Sequence, residues 1–89
     1  MRSVVTIIGK DKVGIIANVA GVLAENNANI LDINQTVMQE YFTMIMLVDV
    51  SEISIDLVDL KHKLEKIGKE MGLSVRLQRE DIFNKMHEI

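Results

Sequence analysis

The sequence predicts an α+β domain whose strands and helices follow the order β-α-β-β-α-β. Two segments repeat apolar residues at spacings of three and four, which is typical of amphipathic helices. Four others are β-branched runs or alternate apolar and polar residues, as strands do. The 89 residues contain no proline, so no element is interrupted by it. This order is the ferredoxin-like arrangement, an antiparallel four-stranded sheet with two helices on one face. Strands one and three are then central and strands two and four are edges.

The first strand and helix occupy the N-terminal third of the chain. A β-branched run predicts the strand, and apolar residues at helical spacing predict a helix from about Val13 to Glu25. The polar run 26–29 ends this helix, because asparagine tolerates the left-handed conformation. Residues 30–39 alternate and form strand two, whose polar face is typical of an edge strand. A short turn at 39–41 makes a hairpin with strand three.

Strand three, residues 42–50, is apolar on both faces. One face carries Phe42, Met44, Met46 and Val48, and the other carries Ile45 and Leu47. Because two helices cover only one face of a single sheet, the second apolar face predicts a homodimer that covers it. The C-terminal tail is the alternative cover.

The second helix has the clearest periodicity of the chain. Asp56 is the predicted N-cap and Gly72 the C-terminal glycine. The apolar residues step by three and four: Leu57, Leu60, Leu64, Ile67 and Met71. Strand four follows at 73–78 with an edge-like alternation. We therefore predict a domain at 1–80 and a helical tail at 81–89. Because nine residues cannot hold a helix alone in water, the tail must dock on this domain or a second subunit, or else fray.

Composition excludes several kinds of protein. The net charge of -3, without a basic run, argues against direct nucleic-acid binding. No cysteine is present, which excludes disulfides and thiolate chemistry. No apolar run reaches the ~20 residues of a membrane span, and no signal peptide is visible, so a cytoplasmic location is expected. No catalytic group has positional support, and we predict neither enzymatic activity, nor a metal site, nor a cofactor.

Other ferredoxin-like proteins need residues that this chain lacks. A metal chaperone needs two thiolates in the first loop, and an RNA-recognition module needs aromatic residues on its central strands. Strand one has none, and strand three has only Phe42 at its margin. An acylphosphatase-like site would use an arginine in the first loop, where this chain has Lys10 and Lys12. A small-molecule-binding domain remains.

The passage from strand one into helix one holds the candidate binding residues. Gly9 can allow a turn with positive φ, and Gly14 can allow a ligand to approach the backbone. Asp11 is a candidate helix cap. The N–H groups of a first helical turn, together with the helix dipole, favour a carboxylate or phosphate. A capped turn without any ligand is the simpler interpretation of the same residues.

Two stretches, residues 4–16 and 23–30, strongly resemble the ACT domain, the amino-acid-sensing module of metabolic regulation. The shared signature is Asp11 three residues before Gly14, followed by Asn29-Ile30 at the start of strand two. The resemblance extends to about Arg79. Residues 78–83 are similar to small stand-alone ACT proteins of bacteria and archaea, which are related to the ACT repeats of the glycine-cleavage-system transcriptional repressor. Val13 departs from the pattern, since many ACT domains have proline there.

The resemblance implies a set of ligand contacts that often close against a neighbouring subunit. They fall at Gly9, Asp11, Lys12, Val13, Gly14, Ile15, Asn29 and Ile30. It also implies function: a homodimer that binds an amino acid and regulates a protein partner. The alternatives that remain open are a ligand-free dimerising adaptor of the same fold and, for Asn29, a mere helix stop.

Overall fold

The computed structural model describes residues 1–10 and 14–86 of the chain. The predicted element order is confirmed, including the short helix at the C-terminus. The elements are β1 (Arg2–Lys10), α1 (Ile15–Glu25), β2 (Asn29–Met38), β3 (Tyr41–Asp49), α2 (Leu57–Met71), β4 (Ser74–Arg79) and α3 (Glu80–Met86).

The four strands form one antiparallel sheet in the order β2-β3-β1-β4. This order confirms that strands one and three are central and that strands two and four are edges. Val5 lies opposite Met46 of β3 and Leu77 of β4, so these three side chains share one face. The structure is only 19 Å thick along its shortest axis, which is the thickness of one helical layer on one sheet.

The core lies between the sheet and the two long helices. The predicted inner face of strand three is confirmed, because its four side chains are 0–3% exposed: Phe42, Met44, Met46 and Val48. From the helices, Val19 and Leu23 of α1 and Leu60 and Leu64 of α2 are fully buried against this face. The alternation of β3 thus places one row of side chains in the core and the other on the opposite face.

Helix α2 begins and ends where the sequence predicts. Asp56 holds the N-cap position, although its side chain makes no capping hydrogen bond. Gly72 ends the helix in the left-handed conformation with φ 72°. The chain then turns tightly, and the Leu73 N–H donates to the Gly68 carbonyl at 2.7 Å. This turn brings β4 directly under the helix from which it follows.

Helix α1 starts two residues later than predicted. Its N-cap is Gly14, with φ 83°, so the helix begins at Ile15 rather than Val13. Gly14 occupies the N-cap position, and Asp11, the candidate cap, lies outside the described residues. At the other end, Asn26 is the C-cap and Asn27 has φ 61°, which confirms an asparagine-based helix stop. Asn29 is not part of this stop, since it opens β2.

The second face of the sheet is only partly covered. Helix α3, the described part of the predicted tail, packs against β1 and β4 of its own chain. Arg2 anchors it through a 2.9 Å ion pair with Glu80. Val4, on this face, is 5% exposed, but Ile8 and Ile45 remain 51% and 40% exposed. The tail therefore docks in cis near the start of β1 and leaves the other end of the face open.

Gly68 tests the packing between α2 and β4. A Cβ at this position would lie 2.5 Å from Val75 Cγ2 and 3.0 Å from the Leu73 carbonyl oxygen. We expect Gly68→Ala to lower the free energy of unfolding by about 1–3 kcal/mol through overpacking. Urea unfolding at fixed protein concentration measures this change.

The matched control is Gly21→Ala in α1. Gly21 has no atom within 4 Å of a built Cβ, so alanine is expected to stabilise the helix by up to ~1 kcal/mol. Equal stabilisation by both substitutions would contradict the tight contact at Gly68.

Candidate ligand site and the β2 edge

Gly9 lies inside β1, opposite Phe42, and does not adopt the positive φ that a turn would need. A Cβ at Gly9 would overlap Leu73 Cδ2. The requirement for glycine at this position is therefore explained by the packing of Leu73 over the strand. The predicted turn at Gly9 is wrong, because β1 continues through it to Lys10.

Gly14 is exposed, and a Cβ built on it would meet no atom within 4 Å. Its left-handed φ of 83° is a conformation that side chains with a Cβ rarely adopt. Glycine is thus required here by the backbone itself. The open space around Gly14 leaves the start of α1 accessible from outside the protomer.

The first turn of α1 offers backbone N–H groups that can donate to a ligand. The first intrahelical bond runs from the Asn18 N–H to the Gly14 carbonyl at 3.0 Å. The N–H groups of residues 15–17 therefore precede the helical hydrogen-bond ladder. The turn contains no acidic residue, and no described side chain caps it. This is the chemistry that a carboxylate requires. Ile15 itself contributes only backbone, since its side chain is 4% exposed.

Asn29 and Ile30 open β2 at the far end of the sheet. Asn29 is exposed and lines a polar depression of about 240 Å³ with Asn27, Asp49, Ser51 and Glu52. Hydrogen bonds from Ser51 hold the pKa of Asp49 below its ordinary value. The larger effect comes from the Ser51 hydroxyl and the smaller from its backbone N–H, whose nitrogen lies 2.9 Å from Asp49 Oδ1. Because folding lowers this pKa, the contact stabilises the folded state fully above the unfolded pKa of Asp49. That stabilisation is lost as the pH falls through the folded pKa. Ile30 is half-buried and packs on the core.

The structure does not bring the predicted ligand contacts together within one protomer. Gly9 lies level with Val37 through the pairs Gly9–Phe42 and Phe42–Val37. Asn29 lies eight residues before Val37 on the same strand, which is about 26 Å along β2. The contacts thus form two groups at opposite ends of the sheet. Asp11, Lys12 and Val13 lie outside the described residues.

Strand β2 is exposed to an extent that the sequence did not predict. Nine of its ten residues are exposed, including apolar residues such as Ile33 at 42% and Val37 at 52%. Its pairing with β3 shifts register at Leu31, a bulge next to the half-buried start of the strand. Beyond Ile30, the described part of the protomer leaves the apolar side chains of this strand 42–68% exposed.

One side of α1 continues this exposed apolar surface. Asn18 lies on the α2 side of the helix, where its Nδ2 donates to Met71 Sδ at 3.5 Å. The opposite side, by helical periodicity, carries a row spaced by four residues. We define the β2 edge surface as this row of α1 together with two apolar residues of β2: Ile16, Ala20, Ala24, Ile33 and Val37. A signal for it exists in the sequence, since residues 15–24 and 33–38 contain no charged residue.

Within residues 1–10 and 14–86, no group of three or more His, Cys, Asp or Glu side chains could hold a metal ion. Over the same residues, no helix is both long enough and apolar enough to span a bilayer. His62 of α2 is exposed, as expected of a polar face, and His87 lies outside the described residues.

A family model described as the ACT domain matches residues 2–78. The chain belongs to the ACT domain family. This match confirms the resemblance in the sequence over nearly the same stretch, and the family consists of regulatory proteins. A UPF0237 protein of Methanocaldococcus jannaschii is 57% identical over 88 residues, which cover 99% of this chain and 98% of the relative.

Two solved structures place the fold among ACT domains. An ACT domain protein from Streptococcus pneumoniae is 41% identical, with a TM-score of 0.80 and 93% of each chain covered. A putative glycine cleavage system transcriptional repressor has a TM-score of 0.72 at 23% identity, over 86% of this chain and 44% of the other. The second likeness is one of fold.

Gly14 can be tested by substitution, although its positive φ changes what the test measures. A glycine with helical φ and ψ could be replaced by alanine without loss of stability, but Gly14 has a left-handed φ of 83°. We expect Gly14→Ala to lower the free energy of unfolding by about 1–2 kcal/mol, and Gly14→Asn to lower it less, because asparagine tolerates this conformation. Urea unfolding distinguishes the two. An alanine variant as stable as the wild type would contradict a left-handed residue at this position.

Proposed function

We propose that this chain is a regulatory homodimer that binds an amino acid between its two protomers and thereby modulates a metabolic or transcriptional partner. The observation that carries the proposal is the separation of the predicted contacts into two groups, with Gly9 about 26 Å from the level of Asn29 along an edge strand whose outer side is unpaired. One protomer alone cannot place both groups on one small ligand. Two protomers joined along that strand can.

Strand β2 has the properties of an edge that is meant to be paired. Edge strands of monomers are usually blunted by lysine, proline or short length. β2 has ten residues with neither lysine nor proline, and Asp32 is its only charged residue. Its outer backbone N–H and C=O groups are available for a further strand, and the β2 edge surface lies beside them. A second copy of β2 satisfies both the hydrogen-bonding groups and the apolar side chains.

A two-fold axis near the middle of β2 also completes the ligand site. Antiparallel pairing of two β2 strands sets the start of one beside the end of the other. The partner's Asn29 then lies at the end of the sheet where α1 begins after Gly14. The symmetry creates two equivalent sites, each built from one α1 start and one partner β2 start.

An amino acid suits the groups that meet there. Its carboxylate can accept hydrogen bonds from the N–H groups at the start of α1. Asp11 can pair with its ammonium group, and the partner's Asn29 can both donate and accept. A carboxylate at position 11 favours a zwitterion over a dianion, because a dianion would be repelled. The implication of the ACT family and the chemistry of these residues support the same ligand class.

The dimer can be tested with a charge in the middle of the β2 edge surface. We expect Ile33→Lys to raise the dimer dissociation constant by roughly 100-fold, since two like charges would meet close to the axis. Sedimentation velocity across a concentration series measures this change. The control is Val58→Lys, which places the same charge on an exposed apolar residue of α2 (61% exposed). A wild-type chain that is monomeric at high micromolar concentration would contradict the dimer.

The shared site can be tested by mixing two inactive variants. Asp11→Ala and Asn29→Ala should each weaken binding of the amino acid found in a thermal-shift screen of the twenty. When the two variants are mixed and their protomers exchange, each heterodimer should recover one intact site. Calorimetry should therefore find one site per heterodimer, which is half a site per protomer. If each site lay within one protomer, mixing would restore nothing.

The same screen separates the proposal from a ligand-free adaptor. A ligand at 100 times its dissociation constant stabilises the folded state by ~2.7 kcal/mol, which is easily detected. If no amino acid shifts the melting temperature at millimolar concentration while the dimer persists, the adaptor is the correct function.

A further inference from the structure

A groove runs along the free edge of β4, between α2 and α3. Its lining includes four apolar residues, which we call its floor: Leu57, Val58, Leu77 and Ile82 of α3. Two adjoining depressions of about 260 and 280 Å³ share Lys61 and Leu77, so they form one elongated surface beside the strand. We call this surface the β4 groove.

The rim of the β4 groove is positively charged, in contrast to the protein as a whole. Lys61, Arg76 and Arg79 line it, and Glu65 is the one carboxylate among its lining residues. Arg79 is held by Asp81 at 2.7 Å. Within residues 1–10 and 14–86, neither Lys61 nor Arg76 belongs to an ion pair. The chain as a whole carries a net charge of -3, so the sign of the charge on this rim is opposite to that of the chain.

The strand under the groove has an unpaired edge. β4 pairs with β1 on one side only, and the sheet ends there. Its outer N–H and C=O groups therefore need hydrogen-bonding partners, which water provides in the free protein. An extended peptide replaces that water with main-chain hydrogen bonds, whereas a lipid chain would leave these groups unsatisfied. Alternate side chains of the peptide would meet the apolar floor and the cationic rim.

We propose that the β4 groove binds an acidic, extended segment of a protein partner, which adds to the sheet as a strand next to β4. Acidic side chains of the segment pair with Lys61 and Arg76, and apolar side chains contact the floor. The identification of the partner as a regulated protein rests on the proposed function. The binding surface itself does not, because it involves none of the ligand contacts or the β2 edge surface.

The position of the groove keeps it accessible in the proposed dimer. The order β2-β3-β1-β4 places β4 at the edge opposite β2. Pairing through β2 therefore leaves the two β4 edges at the outer ends of an eight-stranded sheet. Each dimer can bind two acidic segments without disturbing the ligand sites.

The test uses the full chain and a fluorescein-labelled octapeptide of alternating valine and glutamate. Fluorescence anisotropy should detect binding that weakens with added salt. Arg76→Glu and Lys61→Glu should each weaken it by about tenfold, because an attraction becomes a repulsion. The matched control is Lys63→Glu, the same substitution on the same helix at a residue that lines the α1–α2 side. It should change the dissociation constant by less than about twofold.

Two further probes separate strand addition from other modes of binding. An octapeptide N-methylated at every residue should not bind, since it can donate no main-chain hydrogen bond to β4. Amide chemical shifts on binding should change at 76–79 and not at 29–38. Binding of a lysine–valine octapeptide, equal weakening by Lys63→Glu, or shifts confined to β2 would each overturn the proposal. Arg76-dependent binding to anionic phosphatidylglycerol vesicles, with the same affinity as for the peptide, would also overturn it. The Ile33→Lys variant should bind the peptide normally, so failure of the dimer and failure of the groove are distinguishable.

Discussion

The packing of two helices against one face of the sheet is the constraint on which the other surfaces depend. The inner rows of β1 and β3 are buried under α1 and α2, and that burial provides most of the apolar area removed from water. The helical layer is centred on β3, β1 and β4, because α2 packs closely on β4 while α1 touches β2 only lightly. β2 consequently extends beyond the core. In the proposed dimer, a second copy covers the apolar side chains of β2 that the described part of one protomer leaves exposed.

The two edges of the sheet are unlike each other, and this difference favours a closed dimer over an open chain of protomers. β2 is long and almost uncharged, whereas β4 has six residues, carries Arg76 and Arg79, and runs directly into α3. Pairing β2 of one copy with β4 of the next would generate a fibre. It would also bring cationic residues and α3 against an apolar strand. Pairing β2 with β2 joins like surfaces and stops at two copies. The charges on β4 thus act against fibre formation, as edge charges do in other sheets.

The sequence was sufficient for the fold and insufficient for the site, for physical reasons that specific residues make clear. The alternation of Phe42–Val48 and the periodicity of Leu57–Met71 are local signals, and both elements formed where predicted. Gly9 and Gly14 both indicated a position that needs glycine, but the structure requires glycine at the two positions for different reasons. Gly9 is required by the side chain of Leu73, which is 64 residues away in the chain, and no local pattern reveals that contact. Gly14 is required by its own backbone. The separation of Asn29 from Gly14 follows from local signals, because the predicted helix α1 lies between them.

The separation of the proposed surfaces along the sheet has a consequence for regulation. A ligand at the β2 seam and a peptide at β4 would be separated by β3 and β1, which are rigid and fully paired. Coupling through small shifts of these central strands would be weak, because their side chains are close-packed in the core. The dimer equilibrium is a stronger link. A ligand that contacts both protomers binds only the dimer, and it therefore raises the fraction of dimer by mass action. A bivalent partner then gains a second β4 groove within reach, and its avidity rises without any change in shape. By linkage, a bivalent partner that favours the dimer must strengthen ligand binding by the same factor.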